Sequence, residues 1–161
     1  MTTDAPIVAL ATGDPGGIGP ELCLKAATHS DLAAICRPVL YGDPVVLNEH
    51  AIACGITVDF DTAASPDRID WDKPGVKLCP RDQFSDAPFE LGAVNAANGR
   101  AALDSAATAI HDVMNGRAAA VVAAGRHGEA RTSGPGVTRA SASPSSSSAS
   151  TSLGSQMDRS A

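Results

Sequence analysis

Residues Gly13 to Glu21 read GDPGGIGPE and lie between an apolar run, Ile7-Val8-Ala9-Leu10-Ala11, and a helix-like segment, Leu22-Cys23-Leu24-Lys25-Ala26-Ala27. A strand, a glycine- and proline-rich bend and a helix, in that order, form the opening unit of a layered α/β fold. The glycines Gly13, Gly16, Gly17 and Gly19 let the backbone take positive φ and let another group approach it closely. Pro15 stiffens the bend, and Pro20 suits a first helical position, where a missing N–H costs nothing. Glu21 sets a negative charge at the positive end of the helix dipole. Two readings follow. One is a cradle for an anionic ligand. The other is a tight strand-to-helix connection whose turn chemistry explains the same residues. The bend is not a P-loop, because no Gly-Lys-Ser/Thr follows. It is also not a complete dinucleotide fingerprint, since Leu22 stands where the third glycine belongs.

The rest of the chain to Ala124 continues the alternation. Pro38 to Asp43 reads as a strand, Pro44 to Cys54 as a helix stopped by Gly55, and Ile56-Thr57-Val58-Asp59-Phe60 as an alternating strand. Residues 61 to 74, acidic and carrying Trp71, read as a connecting loop, and Val76 to Cys79 as a short strand. Asn95 to Met114 gives the longest helical pattern, through Ala102, Ala106, Ile110 and Met114 and through Leu103 and Ala107. Ala118 to Ala124 holds nothing polar and reads as a buried strand. The expected class is α/β, a partial domain with a largely parallel sheet. At Gly125 the composition changes: the remainder holds eleven serines and no Ile, Phe, Tyr or Trp. Residues 1–124 are therefore expected to form the folded part, and 125–161 a disordered, low-complexity tail.

A formal charge of −6 argues against nucleic acid as a partner. No stretch reaches the roughly 18 apolar residues of a membrane span, and the N-terminus lacks a secretory signal pattern. Cys23, Cys36, Cys54 and Cys79 form no C-x-x-C pair and read as small buried thiols of a reducing cytoplasm. His29, His50, His111 and His127 share no metal-ligand spacing and read as structural or solvated. Asp14 reads as a turn former before Pro15, and Glu21 as a dipole partner, ahead of any acid–base role. No serine lies in a G-x-S-x-G elbow, and the carboxylates of Asp67, Asp70 and Asp72 read as a solvated loop rather than a cation site.

The string Thr12-Gly13-Asp14-Pro15-Gly16-Gly17-Ile18-Gly19-Pro20-Glu21 closely resembles the opening signature of the PdxA family, the 4-hydroxythreonine-4-phosphate dehydrogenases. Gly99-Arg100-Ala101-Ala102, the helix that follows, Asn115-Gly116-Arg117 and the run to Ala124 resemble that family's helix, turn and strand before its catalytic loop. The likeness covers about residues 5 to 124. It implies an isocitrate-dehydrogenase-like fold of two α/β domains around a cleft, usually in a homodimer in the cytoplasm. It also implies NAD-dependent oxidation and decarboxylation of a small phosphorylated hydroxy amino acid on the route to pyridoxal 5′-phosphate, assisted by a divalent metal held by three histidines.

None of those metal, cofactor or phosphate contacts maps onto a residue of this chain. The expected contribution to the cleft is loop support from Gly13, Asp14, Gly16 and Gly17. Gly16 stands where alanine is common, which points to a divergent branch. Sibling enzymes with the same signature act on phosphorylated sugar acids or on terephthalate dihydrodiol, and a non-enzymatic remnant domain is the remaining alternative. The tail matches nothing in the family pattern and is expected to be a frame-shifted translation, leaving a truncated chain that is inactive by itself and has an uncovered apolar sheet edge.

Overall fold

The structure, a computed structural model, describes residues 5–86 and 89–124. The expected tail, 125–161, and His127 with it, lie outside the described residues. In chain order the elements are β1 (Ile7–Ala11), α1 (Gly19–Ala27), α2 (Ser30–Ile35), β2 (Arg37–Gly42), α3 (Pro44–Ala53), β3 (Phe60–Thr62), β4 (Val76–Pro80), α4 (Ala96–Met114) and β5 (Ala120–Ala123). A 3-10 turn, Pro66–Arg68, lies between β3 and β4. The strands form one parallel sheet in the order β3-β4-β2-β1-β5. No helix among the described residues is long and apolar enough to cross a membrane.

Side chains alternate across the sheet, so each face has its own set. Leu10, Leu40 and Leu78 share one face and pack with Cys23 and Leu24 of α1 and Leu47 and Ala51 of α3. Ala9, Ala11, Val39, Tyr41 and Cys79 share the other and meet Ala109 of α4. The result is three layers, with helices on both faces of the sheet.

Three expectations need correction. The alternation at residues 56–60 is not a strand: β3 starts at Phe60, and residues 56–59 precede it as irregular chain. On α4 the inward face is Asn98, Ala101, Ala102, Ser105, Ala109 and Asp112, while Leu103, Ile110 and Met114 are exposed. Small side chains let α4 lie close to the sheet, and its large ones are displaced outward. Finally, β5 is apolar but not buried: among the described residues it is an edge strand, with Val122 54% exposed. An all-apolar strand pattern does not distinguish a central strand from an edge whose cover lies elsewhere. Of the cysteines, Cys23 and Cys79 are buried as expected, whereas Cys36 and Cys54 are only partly so.

Tyr41 is fully buried, and its hydroxyl donates to Asp112 Oδ2 at 2.8 Å. Arg117 Nη1 donates to Asp112 Oδ1 at 2.9 Å. Burial, reinforced by Asp112, pushes the Tyr41 phenol well above its ordinary value. Burial likewise pushes the Cys23 and Cys79 thiols up to about 11 from 9.0. For each group the folded chain disfavours the anion more than the unfolded chain does. The stabilisation is therefore complete below about pH 9 and is lost as pH rises through 9 to 11, where the unfolded thiols and phenol ionise first. The thermal midpoint is expected to fall steadily between pH 8.5 and pH 11. Because the chain has one tyrosine, its ultraviolet titration should coincide with unfolding rather than precede it.

Candidate functional site

The connection from β1 to α1 lies at the carboxyl ends of the strands. Its first step is anchored to β2, where the Thr12 hydroxyl and N–H both donate to the Tyr41 carbonyl, at 3.0 and 3.1 Å. Gly13 follows with φ 73°, a left-handed conformation that favours glycine, and its N–H meets Ser105 Oγ of α4 at 3.4 Å. Gly13 is the one glycine of the bend with positive φ.

Gly16 and Gly19 are required for a different reason. A Cβ at Gly16 would lie 2.2 Å from the Ala93 carbonyl oxygen, and one at Gly19 2.1 Å from the Thr12 carbonyl oxygen. The room they leave is filled by the chain itself. Gly16→Ala is therefore expected to destabilise the fold by about 2 kcal/mol, read as a lowered urea midpoint, because the Ala93 backbone and the Asn98 side chain bonded to it must both move.

Asp14 is buried, and its Oδ1 accepts the Gly16 N–H at 2.9 Å while its carbonyl accepts the Gly17 N–H at 3.0 Å. The bend thus uses its Gly16 and Gly17 N–H groups internally and carries a carboxylate at its centre. That favours the tight-connection reading over the anion cradle, since a bound anion would face Asp14 and compete for occupied N–H groups. Glu21 forms an i,i+4 ion pair with Lys25, which holds the Glu21 carboxyl below its usual range. Gly13, Asp14, Gly16 and Gly17 lie in the bend that follows β1.

The surrounding frame was not legible beforehand. His50 of α3 is buried, with Nε2 2.8 Å from the Pro15 carbonyl oxygen, and so ties α3 to the bend. Gly92 N–H donates to the Gly16 carbonyl at 2.9 Å. Asp43, also buried, uses Oδ1 to cap α3 at Val45 N–H (2.8 Å) and Oδ2 to accept from Gln83 and Phe84 N–H (2.6 and 2.8 Å). The Asp43-Pro44 pair carries a visible N-cap signal; its second use, holding a loop forty residues away, has no local signature.

Beneath the bend, a hollow reached by Thr12, Gly42, Arg81 and Ser105 measures about 10 Å³, room for about one water. Beside it, an open groove of about 360 Å³ is lined by Gln83, Phe84, Ala97, Arg100 and Asp104. Arg81 binds Asp104 with Nε at 2.6 Å and Nη2 at 3.0 Å, and the Gln83 amide donates to Asp104 Oδ2 at 2.9 Å. Arg100, exposed on the groove, has no ion partner among the described residues.

A three-histidine metal centre does not fit the described residues. His29 caps α2 through Asp31 N–H, His50 is committed to Pro15, and His111 is exposed near the end of α4. Among the described residues, no group of three His, Cys, Asp or Glu side chains could hold a metal ion. A nucleotide pyrophosphate does not fit the bend either, for the reasons given for Asp14 and the filled space at Gly16 and Gly19.

Strand order adds a positional argument. From β1 the chain moves to β2 on one side, and β5 returns on the other side of β1. The bend therefore lies at the point where the winding reverses, the usual ligand crevice of open α/β sheets. Fold and bend together define a three-layered α/β lobe with a glycine-rich loop at its switch point. The model of the family described as "Pyridoxal phosphate biosynthetic protein PdxA" matches residues 34–138, and the chain belongs to that family. The matched region begins after the Gly13–Glu21 bend and runs past Ala124, where the likeness read from the residues ended.

Among curated relatives, a 4-hydroxythreonine-4-phosphate dehydrogenase of Desulforapulum autotrophicum is 26% identical over 121 residues, 75% of this chain and 36% of the relative. A Clostridium botulinum protein with the provisional name D-threonate 4-phosphate dehydrogenase is 25% identical over 104 residues, 65% of this chain and 31% of the relative. The crystal structure of a 4-hydroxythreonine-4-phosphate dehydrogenase from Burkholderia phymatum superposes with a TM-score of 0.70 at 21% identity, over 76% of this chain and 37% of that one. The chain spans about a third of the length of the curated relatives it matches.

Proposed function

We propose that residues 5–124 form one lobe of an NAD-dependent dehydrogenase that oxidises a small phosphorylated hydroxy acid, with the Gly13–Ile18 bend as one wall of its cleft. The position of the bend at the sheet's switch point carries this reading. Family membership supports the dehydrogenase class. The two substrates named for its relatives, 4-hydroxythreonine 4-phosphate and D-threonate 4-phosphate, share a phosphate and an oxidisable secondary alcohol. Arg100, on the groove beside the bend, suits the anionic end of either. In this reading Gly13, Asp14, Gly16 and Gly17 shape the wall and touch no reacting atom. The divalent metal, a Lewis acid toward the alcohol oxygen, is held by residues other than those described.

The test is a chimera in which residues 5–124 replace the matching segment of the Burkholderia enzyme, assayed for metal-dependent NADH formation on both substrates. Turnover is expected on at least one, and a folded chimera inert on both would overturn the dehydrogenase reading. The 161-residue chain alone is expected to form no NADH; turnover by it would overturn the view that the reaction needs more of the family sequence than this chain carries.

A further inference from the structure

At the opposite end of the sheet from the bend, the amino ends of β2 and β4 border a second hollow, of about 100 Å³. Its wall is mostly apolar: Ala27 at the end of α1, Ala33 of α2, Pro38 of β2, and Trp71 and Pro74 of the segment before β4. For scale, an apolar cavity of roughly 150 Å³ holds a benzene ring. At two thirds of that volume the hollow takes a branched alkyl group rather than a ring, provided the remainder of the molecule stays at its mouth.

Charge narrows the choice. Among the described residues, those lining the hollow include three basic side chains and no carboxylate, in a chain whose formal charge is −6. Lys77 is already committed: its ammonium donates to Asp61 Oδ2 at 3.0 Å and to the carbonyls of Asp70 and Lys73 at 2.7 and 2.8 Å, which uses all three of its protons. Arg37 is held but, among the described residues, not spent. Its guanidinium stacks over the Trp71 ring, 4.6 Å from the centroid, and its Nε donates to the Ala5 carbonyl at 2.8 Å. The terminal nitrogens of that rigid, planar cation suit bidentate binding of a carboxylate.

We propose that this hollow is a binding site for a small monocarboxylate with an apolar body, its branched alkyl group against Trp71 and Pro38 and its carboxylate on Arg37. The site is independent of the dehydrogenase reading, since it shares no residue with the bend or with the groove beside it.

Trp71 is the chain's one tryptophan, so its fluorescence reports on this wall alone. The probe is pivalate, whose tert-butyl group matches the volume and which does not absorb where tryptophan does, titrated into the full chain. A saturable change in Trp71 emission in the millimolar range is expected. Acetate lacks the body, and neopentyl alcohol lacks the charge; each should bind at least about tenfold more weakly. Ala33→Leu, which fills the hollow, should abolish the change, and Ala27→Leu should do the same if Ala33→Leu does not fold. Arg37→Gln should weaken binding by about tenfold. Where Arg37→Gln unfolds, the comparison of acid with alcohol on the unaltered chain decides the role of charge. A linear, unsaturable response, an equal response in a folded cavity-filled variant, or equal binding of the alcohol would overturn the proposal.

Discussion

Asp43→Ala is expected to destabilise the chain by about 4 kcal/mol, the largest effect of any single substitution considered, measured as a lowered urea midpoint. The carboxylate caps α3 at Val45 and holds the Gln83 and Phe84 N–H groups with its other oxygen. Alanine removes the cap, worth about 1 kcal/mol. It also leaves two N–H groups at a largely buried site without an acceptor, at about 1 to 3 kcal/mol each. Total stabilities lie near 5–15 kcal/mol, so about a quarter or more of the folded state's margin is at stake. Asp43→Asn keeps one carbonyl oxygen and should recover part of the loss, because one oxygen can cap the helix or hold the loop but not both. The groove beside the bend shares Gln83 and Phe84, so Asp43→Ala should also loosen that segment, seen as faster amide exchange there than elsewhere.

Asp112→Ala should cost about 3 kcal/mol, through the partner it abandons. Tyr41 lies in mid-sheet with its hydroxyl fully buried and bonded to Asp112. Without the carboxylate that hydroxyl has no acceptor in an apolar layer. The Arg117 contact contributes less, because its side chain is 39% exposed and water replaces the lost partner. A double-mutant cycle separates the two contributions. In a Tyr41→Phe background, Asp112→Ala should cost clearly less than in the unaltered chain, since no orphaned hydroxyl remains. Equal costs in both backgrounds would mean that the Tyr41 bond carries none of the effect.

Much of the architecture was legible from local signals, because those signals are local in cause. The strand at 7–11, the Gly55 stop after α3, and Asn95, which caps α4 by accepting the Asn98 N–H, each rest on near neighbours. Failures arose where a distant partner decides. The α4 pattern placed Leu103, Ile110 and Met114 inside, but the sheet selects the Ala101-Ala102-Ser105-Ala109 face, which allows close approach. An apolar run at 118–124 read as buried, yet a strand's place in a sheet is set by its neighbours rather than its composition.

At the site, the sequence left two readings of the bend's glycines, a cradle open to a ligand and a tight connection. Gly16 and Gly19 face Ala93 and Thr12, the former seventy-seven residues away, a contact no motif announces. His50, Ser105 and Asn98 frame the bend for the same reason: topology, not spacing, brings them there.

The account depends most on β5 lying beside β1, because that pairing places the bend where the winding reverses. Backbone nuclear Overhauser contacts between the two strands test it directly. A parallel register is expected, with Val8 opposite Ala120, Ala9 opposite Val121 and Leu10 opposite Val122. An antiparallel pattern, or contacts joining β1 to β2 with none to residues 120–123, would contradict it and remove the crevice on which the functional proposal stands.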